Sequence, residues 1–191
     1  MDIASILFWA VVAGIVVYAI SIYNHLVRLK HNVSKAWSNI DVLLKQRHDE
    51  IPKLVETCKQ YMKFEQDTLE KVMQARAQVS QARQNQDIPG LGLAEGALRM
   101  GLGQIFALAE DYPELRANEN FQHLQGRISS LENTIADRRE FYNESVNINN
   151  IGVETFPDII VARLLGFGPR DLLEFETSEI ADVNVKQLFE T

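Results

Sequence analysis

The sequence predicts an all-α protein in which a single N-terminal transmembrane helix precedes an antiparallel four-helix bundle and a short irregular C-terminal segment. Three observations predict this class: an uncharged run over residues 3–24, apolar positions that recur at steps of four and three, and short breaks containing proline or glycine. The predicted domains are an anchor at 1–24, a bundle at 25–155, and an apolar segment with a tail at 156–191.

The uncharged run has the length of one bilayer crossing. An α-helix rises about 1.5 Å per residue, so about 20 apolar residues cross the hydrocarbon core. A cleaved signal peptide would instead have a basic segment before a shorter apolar stretch and a small-residue cleavage site after it. Asp2 is the only charged residue ahead of the run, and no such site follows Ser21. We therefore expect an uncleaved anchor whose partner is the lipid bilayer.

The flanking charges predict the orientation of this anchor. Arg28, Lys30 and Lys35 follow the run, whereas no lysine or arginine precedes it. Because basic residues resist translocation, we expect a cytoplasmic body with the N-terminus outside. The opposite topology, with a periplasmic body, stays open because only three basic residues carry the bias.

Composition and motif spacing exclude several kinds of partner and site. The formal net charge is -7, whereas a nucleic-acid surface is basic. Cys58 is the only cysteine, which excludes an intrachain disulfide, and its place among apolar residues predicts an inert core thiol. Neither His-Glu-x-x-His nor a pair of Glu-x-x-His motifs is present. We expect no nucleic-acid partner, no metal, no cofactor and no enzymatic activity.

The first helix of the body carries a coiled-coil-like seam. Alternating steps of four and three place one apolar stripe along a helix. Pro52 lies inside this series, where it removes a backbone donor, and because the stripe keeps its phase we expect a bend and not an end. The seam positions are Val33, Trp37, Ile40, Leu44, Arg47, Ile51, Leu54, Cys58 and Tyr61.

Two further helices are predicted before residue 112. Asp67 and Glu70 resemble a capping box that starts the second helix, and Ile88-Pro89-Gly90 follows its end. The third helix, from about residue 91 to 111, is apolar but rich in glycine. Each interior glycine costs roughly 1 kcal/mol relative to alanine, so this helix should be weak, closely packed or partly irregular.

A fourth helix over about residues 118–149 completes the predicted bundle, because four amphipathic helices bury their stripes against one another. Its seam positions are Phe121, Leu124, Ile128, Leu131, Ile135, Arg138 and Tyr142. The apolar cluster at 159–167 is too short to span a membrane. It either packs back on the bundle or forms an interface for another subunit or for lipid. Residues 172–191 form a short strand or an unattached tail.

The candidate functional residues are interface or groove residues. A buried charge requires a partner. The stems of Arg47 and Arg138 therefore pack while their guanidinium groups reach water or an acid such as Glu132 or Asp41, or the two residues mark an open groove or a subunit contact. The aromatic residues are either core anchors or contacts for a partner. The full candidate set is Trp37, Asp41, Arg47, Arg138, Phe141, Tyr142, Asn143, Phe156 and Phe167.

Several blocks, in order, match those of one known family. They include Ala36-Trp37-Ser38-Asn39-Ile40-Asp41-Val42, Ile51-Pro52-Lys53-Leu54-Val55-Glu56-Thr57, Tyr112-Pro113-Glu114-Leu115, Glu132-Asn133-Thr134-Ile135 and Glu154-Thr155-Phe156-Pro157. The chain thereby resembles the LemA family of bacterial membrane-anchored helical proteins. The resemblance implies a bundle behind one inner-membrane span, without established catalytic residues, and a context of envelope stress or membrane-protein quality control.

The resulting hypothesis is a non-enzymatic, single-pass scaffold that self-associates or docks a membrane-protein partner at the bacterial cell membrane. The alternative is a membrane-linked sensor or regulatory adaptor with a switchable bundle. In that case Pro52 and the glycine-rich third helix supply an element with two states.

Overall fold

The computed structural model describes residues 2–174, and all regular secondary structure in that range is helical. The all-α class and the apolar N-terminal helix predicted from the sequence are confirmed. A 3-10 turn, Ala109–Asp111, separates the third and fourth helices. The α-helices are α1 (Ile3–Lys59), α2 (Gln66–Asn85), α3 (Ile88–Leu108), α4 (Pro113–Arg116), α5 (Glu119–Glu154) and α6 (Asp158–Leu165).

The first helix, α1, is 57 residues long and changes character along its length. The apolar residues before Ile22 are exposed on almost every side, and α1 is long and apolar enough to cross a membrane. A buried stripe on one side begins at Ile22 and continues to Cys58. The helix passes through Pro52 to Lys59, so the predicted absence of a helix end at this proline is confirmed.

Packing divides the chain into two compact units. The first unit contains α1 up to Val42, α5 from Ile135 onwards, and the chain through α6 to Leu172. Gly152 lets α5 approach α1 closely, because a Cβ atom there would lie 2.3 Å from Leu29 Cδ1. The core of this unit consists of Ile22, Leu26, Leu29, Val153 and Ala162, with Val161 and Phe167 packed against it.

The second unit is a helical bundle. It contains α1 from Leu43, all of α2, α3 and α4, α5 as far as Thr134, and residues 173–174. Glycines in α3 allow close packing here. A Cβ atom on Gly101 would lie 2.7 Å from Val72 Cγ2, and one on Gly92 would lie 1.9 Å from the Glu174 carbonyl oxygen. Of the three outcomes predicted for α3, the structure shows close packing.

The boundary between α2 and α3 is a two-residue connection. Gln86 adopts the left-handed conformation with φ of 54° and ends α2. Asp87 then caps α3 by accepting a hydrogen bond from the Gly90 N–H at 3.0 Å. The start of α2 differs from the prediction, because Glu65 is the N-cap residue and makes no side-chain cap bond. Asp67 instead lies in the first turn, where a carboxylate favours the helix dipole.

The buried stripes follow the predicted seams except at three positions. At the end of the α1 series, Tyr61 is half-buried and Met62 is buried. On α1 the buried residue is Ala36, and Trp37 is half-buried beside it. On α5, Arg138 was placed on the seam, but its side chain is exposed and Arg139 is half-buried instead. At Trp37 and Arg138 the seam residues on either side are buried, so these two deviations are local. The bulky Trp37 ring lies against Tyr142, and the long charged side chain of Arg138 stays in water.

The C-terminal apolar cluster predicted to be irregular begins with the eight-residue helix α6. One face of α6 packs within the first unit and the other face is exposed. Residues 167–174 then continue without regular secondary structure. The strand or tail predicted for 172–191 lies, from residue 175 onwards, outside the described residues.

Candidate functional sites: a buried ion cluster and exposed apolar faces

A buried ion cluster connects three helices of the second unit. Arg47 from α1 donates through Nη2 to Glu95 of α3, and through Nη1 to Glu132 of α5 at 2.5 Å. Arg47 is 1% exposed and Glu95 is 3% exposed. Charge-assisted hydrogen bonds of this kind have fixed geometry, so the cluster sets how α1, α3 and α5 align.

The electrostatics of this cluster keep Arg47 charged. Burial acts to lower its pKa, but the charges and hydrogen bonds of Glu95 and Glu132 outweigh burial, and the pKa of Arg47 is raised. Arg47 Nε is buried without a hydrogen-bond partner in the described chain. An arginine that stays protonated cannot act as an acid or base near neutral pH, and we interpret the cluster as a structural ion pair network.

The sequence identified half of this cluster. Glu132 was one of the acids predicted to pair with a seam arginine, and the structure places it on Arg47. Glu95 was missed because α3 was treated as an apolar, glycine-rich helix. The spacing of Glu95 along α3 could have indicated that it is buried. Glu95 lies four residues after Leu91 and seven before Leu102, on the buried side of α3.

A second polar contact in the second unit compensates for Pro52. Proline has no N–H to donate to the carbonyl four residues earlier, which belongs to His48. Arg76 of α2 donates its Nε–H to this carbonyl oxygen at 2.8 Å. The sequence predicted a bend at Pro52 but gave no sign of this partner, because the two residues lie on different helices.

Burial also shifts the pKa values of Cys58 and His48 in this unit. Burial raises the pKa of the Cys58 thiol to about 12. Partial burial and the charge of Arg76 lower the pKa of His48, which favours the neutral imidazole. Residues 2–174 contain no group of three His, Cys, Asp or Glu side chains placed to hold a metal ion.

An open groove between the end of α1 and the start of α2 has a volume of about 660 Å³. Its floor includes Met62, Leu69 and Met73, and Lys59 and Lys63 lie at its rim. Methionine side chains adapt to apolar surfaces of different shapes. The groove was not predicted, because it is formed where two helices diverge and not by a sequence motif.

Two of the candidate aromatic residues are core anchors of the first unit. The Trp37 and Tyr142 rings meet edge to face with centroids 5.9 Å apart. The Tyr142 O–H donates to the Asp171 carbonyl at 3.1 Å, and burial raises the pKa of this phenol. Among the polar candidates in this unit, Asp41 and Asn143 are half-buried.

The other aromatic candidates are at the surface of the first unit. Phe141 is exposed on α5, and exposed Ile148 and Ile151 follow it at steps of seven and three, which places all three on one side of the helix. We call these three residues the α5 stripe. Phe156 is also exposed, whereas Phe167 is half-buried. The candidates therefore form no single site: Arg47 belongs to the ion cluster, and the others are distributed over the first unit.

Comparison with known proteins places this architecture in a family. The LemA family model matches residues 36–187. Protein LemA of Metamycoplasma hominis is 28% identical over 182 residues, which cover 94% of this chain and 81% of that protein. The match therefore runs through both units and the apolar N-terminal part of α1.

Shorter matches link the chain to magnetosome proteins. MamQ 2 of Paramagnetospirillum magneticum is 27% identical over 97 residues, or 51% of this chain and 36% of that protein. MamQ of Magnetospirillum gryphiswaldense is 28% identical over 74 residues, or 39% of this chain and 27% of that protein. The chain spans about a third of the length of these relatives. Family and fold together describe a membrane-associated helical protein, and the chain belongs to the LemA family.

Proposed function

We propose that this protein is a non-enzymatic scaffold that crosses the bacterial cell membrane once and self-associates or docks a membrane-protein partner beside it, in envelope or membrane-protein quality control. The observation that carries the proposal is the change in α1 at Ile22. Before this residue the helix is apolar and exposed on almost all sides, and after it only one side is buried.

The physical argument for the membrane span is the cost of exposing residues 3–20 to water. Burial of apolar surface is worth about 25 cal/mol per Å². A helix that is hydrophobic all round is stable in a protein core or in lipid. No part of the described chain covers these turns of α1, because none of the residues from 3 to 20 is buried. Lipid is the cover that fits this surface, and residues 1–24 are the proposed anchor.

The proposed orientation is a cytoplasmic body with the N-terminus outside. Arg28, Lys30 and Lys35 are exposed on the body side of the anchor, and no lysine or arginine lies on the other side. The same three residues can contact anionic headgroups of the cytoplasmic leaflet.

We expect the protein to stay in the membrane pellet after alkaline extraction, because a transmembrane helix leaves a bilayer only in detergent. In spheroplasts, external protease should leave a C-terminal tag intact, and permeabilisation should expose it. Immunoblotting of both fractions reads the result. Release into the alkaline supernatant would contradict the span, and loss of the tag in sealed spheroplasts would place the body in the periplasm.

The α5 stripe supports the scaffold half of the proposal. Phe141, Ile148 and Ile151 leave an apolar row exposed on a helix whose opposite side is fully packed. Helical proteins bury such rows against a partner helix. A second copy of the chain offers the same row, and a two-fold axis would place the two rows against each other.

Detergent-extracted protein is expected to form particles whose protein mass is a multiple of 21.7 kDa. Replacing Phe141 and Ile148 together by glutamine should reduce this mass to that of one chain, because it removes the apolar contact without breaking the helix. The matched control replaces Glu140 and Asn147, each one residue earlier on α5, by glutamine. Size-exclusion chromatography with light scattering measures the mass. A wild-type protein that is a single chain and captures no membrane protein would overturn the proposal.

A further inference from the structure

The exposed face of α6 is strongly apolar and has no cover within residues 2–174. Ile160 and Leu164 are four residues apart on α6, and Leu164 is 78% exposed. Phe156, in the turn before α6, is also exposed. Residues four apart lie on the same side of a helix. Leu165 is exposed next to this row. Contiguous apolar patches of this kind mark a contact with protein or membrane.

The packed face of α6 shows where the helix lies on α1. Ala162 belongs to the buried cluster that also contains Ile22 and Leu26. The Phe167 ring meets the Tyr23 ring edge to face, with centroids 6.0 Å apart. Residues 22 and 23 are at the end of the uncharged run, and Leu26 is within one turn, about 5.4 Å, of that end. The helix α6 therefore lies beside the point where the proposed span leaves the bilayer.

Side chains of α5 hold the chain that follows α6. Asn150 accepts a hydrogen bond from the Arg170 N–H at 2.8 Å and donates to the Arg170 carbonyl at 2.9 Å. The Asn149 amide donates to the Gly168 carbonyl at 3.3 Å, and Tyr142 donates to Asp171. Because these bonds hold the chain after α6 and Ala162 packs in the core of the first unit, the direction of the exposed face of α6 is set before any partner binds.

We infer that α6 is an interfacial helix whose exposed apolar face lies at the boundary between headgroups and acyl chains of the bilayer that α1 crosses. The inference rests on the proposed span, because α6 packs on α1 at Ile22, where that span ends. A helix with one apolar side and a polar remainder lies in this plane of a membrane. Exposed Arg163 on α6, and Arg28 and Lys30 on α1, match anionic headgroups.

The consequence is a second membrane contact that fixes the body. A single span leaves tilt and rotation to be set by packing and by interfacial anchors. With α6 at the interface, the α1 and α5 pair can no longer rotate about the span axis, and the α5 stripe faces a defined direction in the membrane plane. Two copies would then meet with their stripes already oriented.

The test measures the depth of single fluorophores in the full-length protein. Native Cys58 is buried and its thiol pKa is about 12, so dye attaches selectively to an introduced cysteine. Three exposed positions are labelled, one per variant, with an environment-sensitive dye: Leu164→Cys on α6, Val16→Cys in the span, and Glu140→Cys on α5. Glu140 lies about 18 Å along α5 from Gly152, which contacts α1. The proteins are reconstituted in phosphatidylethanolamine and phosphatidylglycerol vesicles that carry nitroxide lipids.

We expect shallow nitroxides to quench the dye at position 164 more strongly than deep nitroxides, the reverse order at position 16, and no lipid quenching at position 140. If lipid nitroxides quench the dye at position 16 but not the dye at position 164, the inference is overturned and the proposed span stands. If lipid nitroxides do not quench the dye at position 16, the proposed span itself is overturned. The dye at position 164 could instead be shielded both from lipid nitroxides and from iodide, a quencher dissolved in the water. If it becomes accessible when the protein is diluted in lipid, a second copy covers α6, and the inference is again overturned.

Discussion

Replacing Arg47 by methionine is expected to lower the free energy of unfolding by about 3–5 kcal/mol, the cost of breaking a buried ion pair from one side. Methionine keeps much of the volume of the arginine stem but leaves Glu95 buried without its cation. The measurement is loss of helical circular dichroism with denaturant in detergent. Because the cluster joins α1, α3 and α5, the loss should be cooperative over the second unit.

Two comparisons separate this electrostatic effect from packing. Lys45→Met removes a positive charge from an exposed position on the same helix and should change stability by less than about 0.5 kcal/mol. Combining Arg47→Met with Glu95→Leu and Glu132→Leu removes all three charges and should recover most of the lost stability, because well-packed apolar residues can replace a buried ion cluster. An Arg47→Met protein as stable as the wild type would contradict the structural role proposed for the ion cluster.

The helices and their buried sides could be predicted because they depend on local spacing. The stripe of α1 from Val33 to Cys58 was read from steps of three and four, and so was the continuation of the helix through Pro52. The exceptions at Trp37 and Arg138 are local, because the seam residues on either side of each one are buried. The position of a stripe is thus predictable to within one residue and not better.

The contacts between distant parts of the chain could not be predicted in the same way. Glu95 pairs with Arg47 across 48 residues, and Arg170 bonds to Asn150 across 20. Contacts between residues so far apart in the sequence produce no periodic pattern of apolar residues. The exposed face of α6 could be read as apolar, but its location beside Ile22 depends on how α5 returns along α1. The sequence left lipid, another subunit and the bundle itself as alternatives because nothing in the spacing distinguishes them.

The contact between Arg76 and the His48 carbonyl predicts a coupling with Pro52 that a double-mutant cycle can measure. A buried or half-buried carbonyl that is left without a donor costs about 1–3 kcal/mol. Arg76→Met should therefore destabilise the second unit by that amount, and Arg76→Lys by less, because lysine retains a donor. Lys71→Met, an exposed position on the same helix, is the control and should have little effect.

The second arm of the cycle restores the missing backbone donor. Alanine at position 52 supplies an N–H that can reach the His48 carbonyl within the helix, and it removes the clash of the proline ring with that carbonyl. In the Pro52→Ala background, Arg76→Met should therefore cost less than in the wild type, with an interaction energy of about 0.5–3 kcal/mol. Equal costs in the two backgrounds would show that Arg76 stabilises α1 through packing alone. A smaller cost would show that Arg76 and Pro52 are energetically coupled. The side chain of Arg76 on α2 would then supply the hydrogen bond that the backbone of α1 lacks at Pro52.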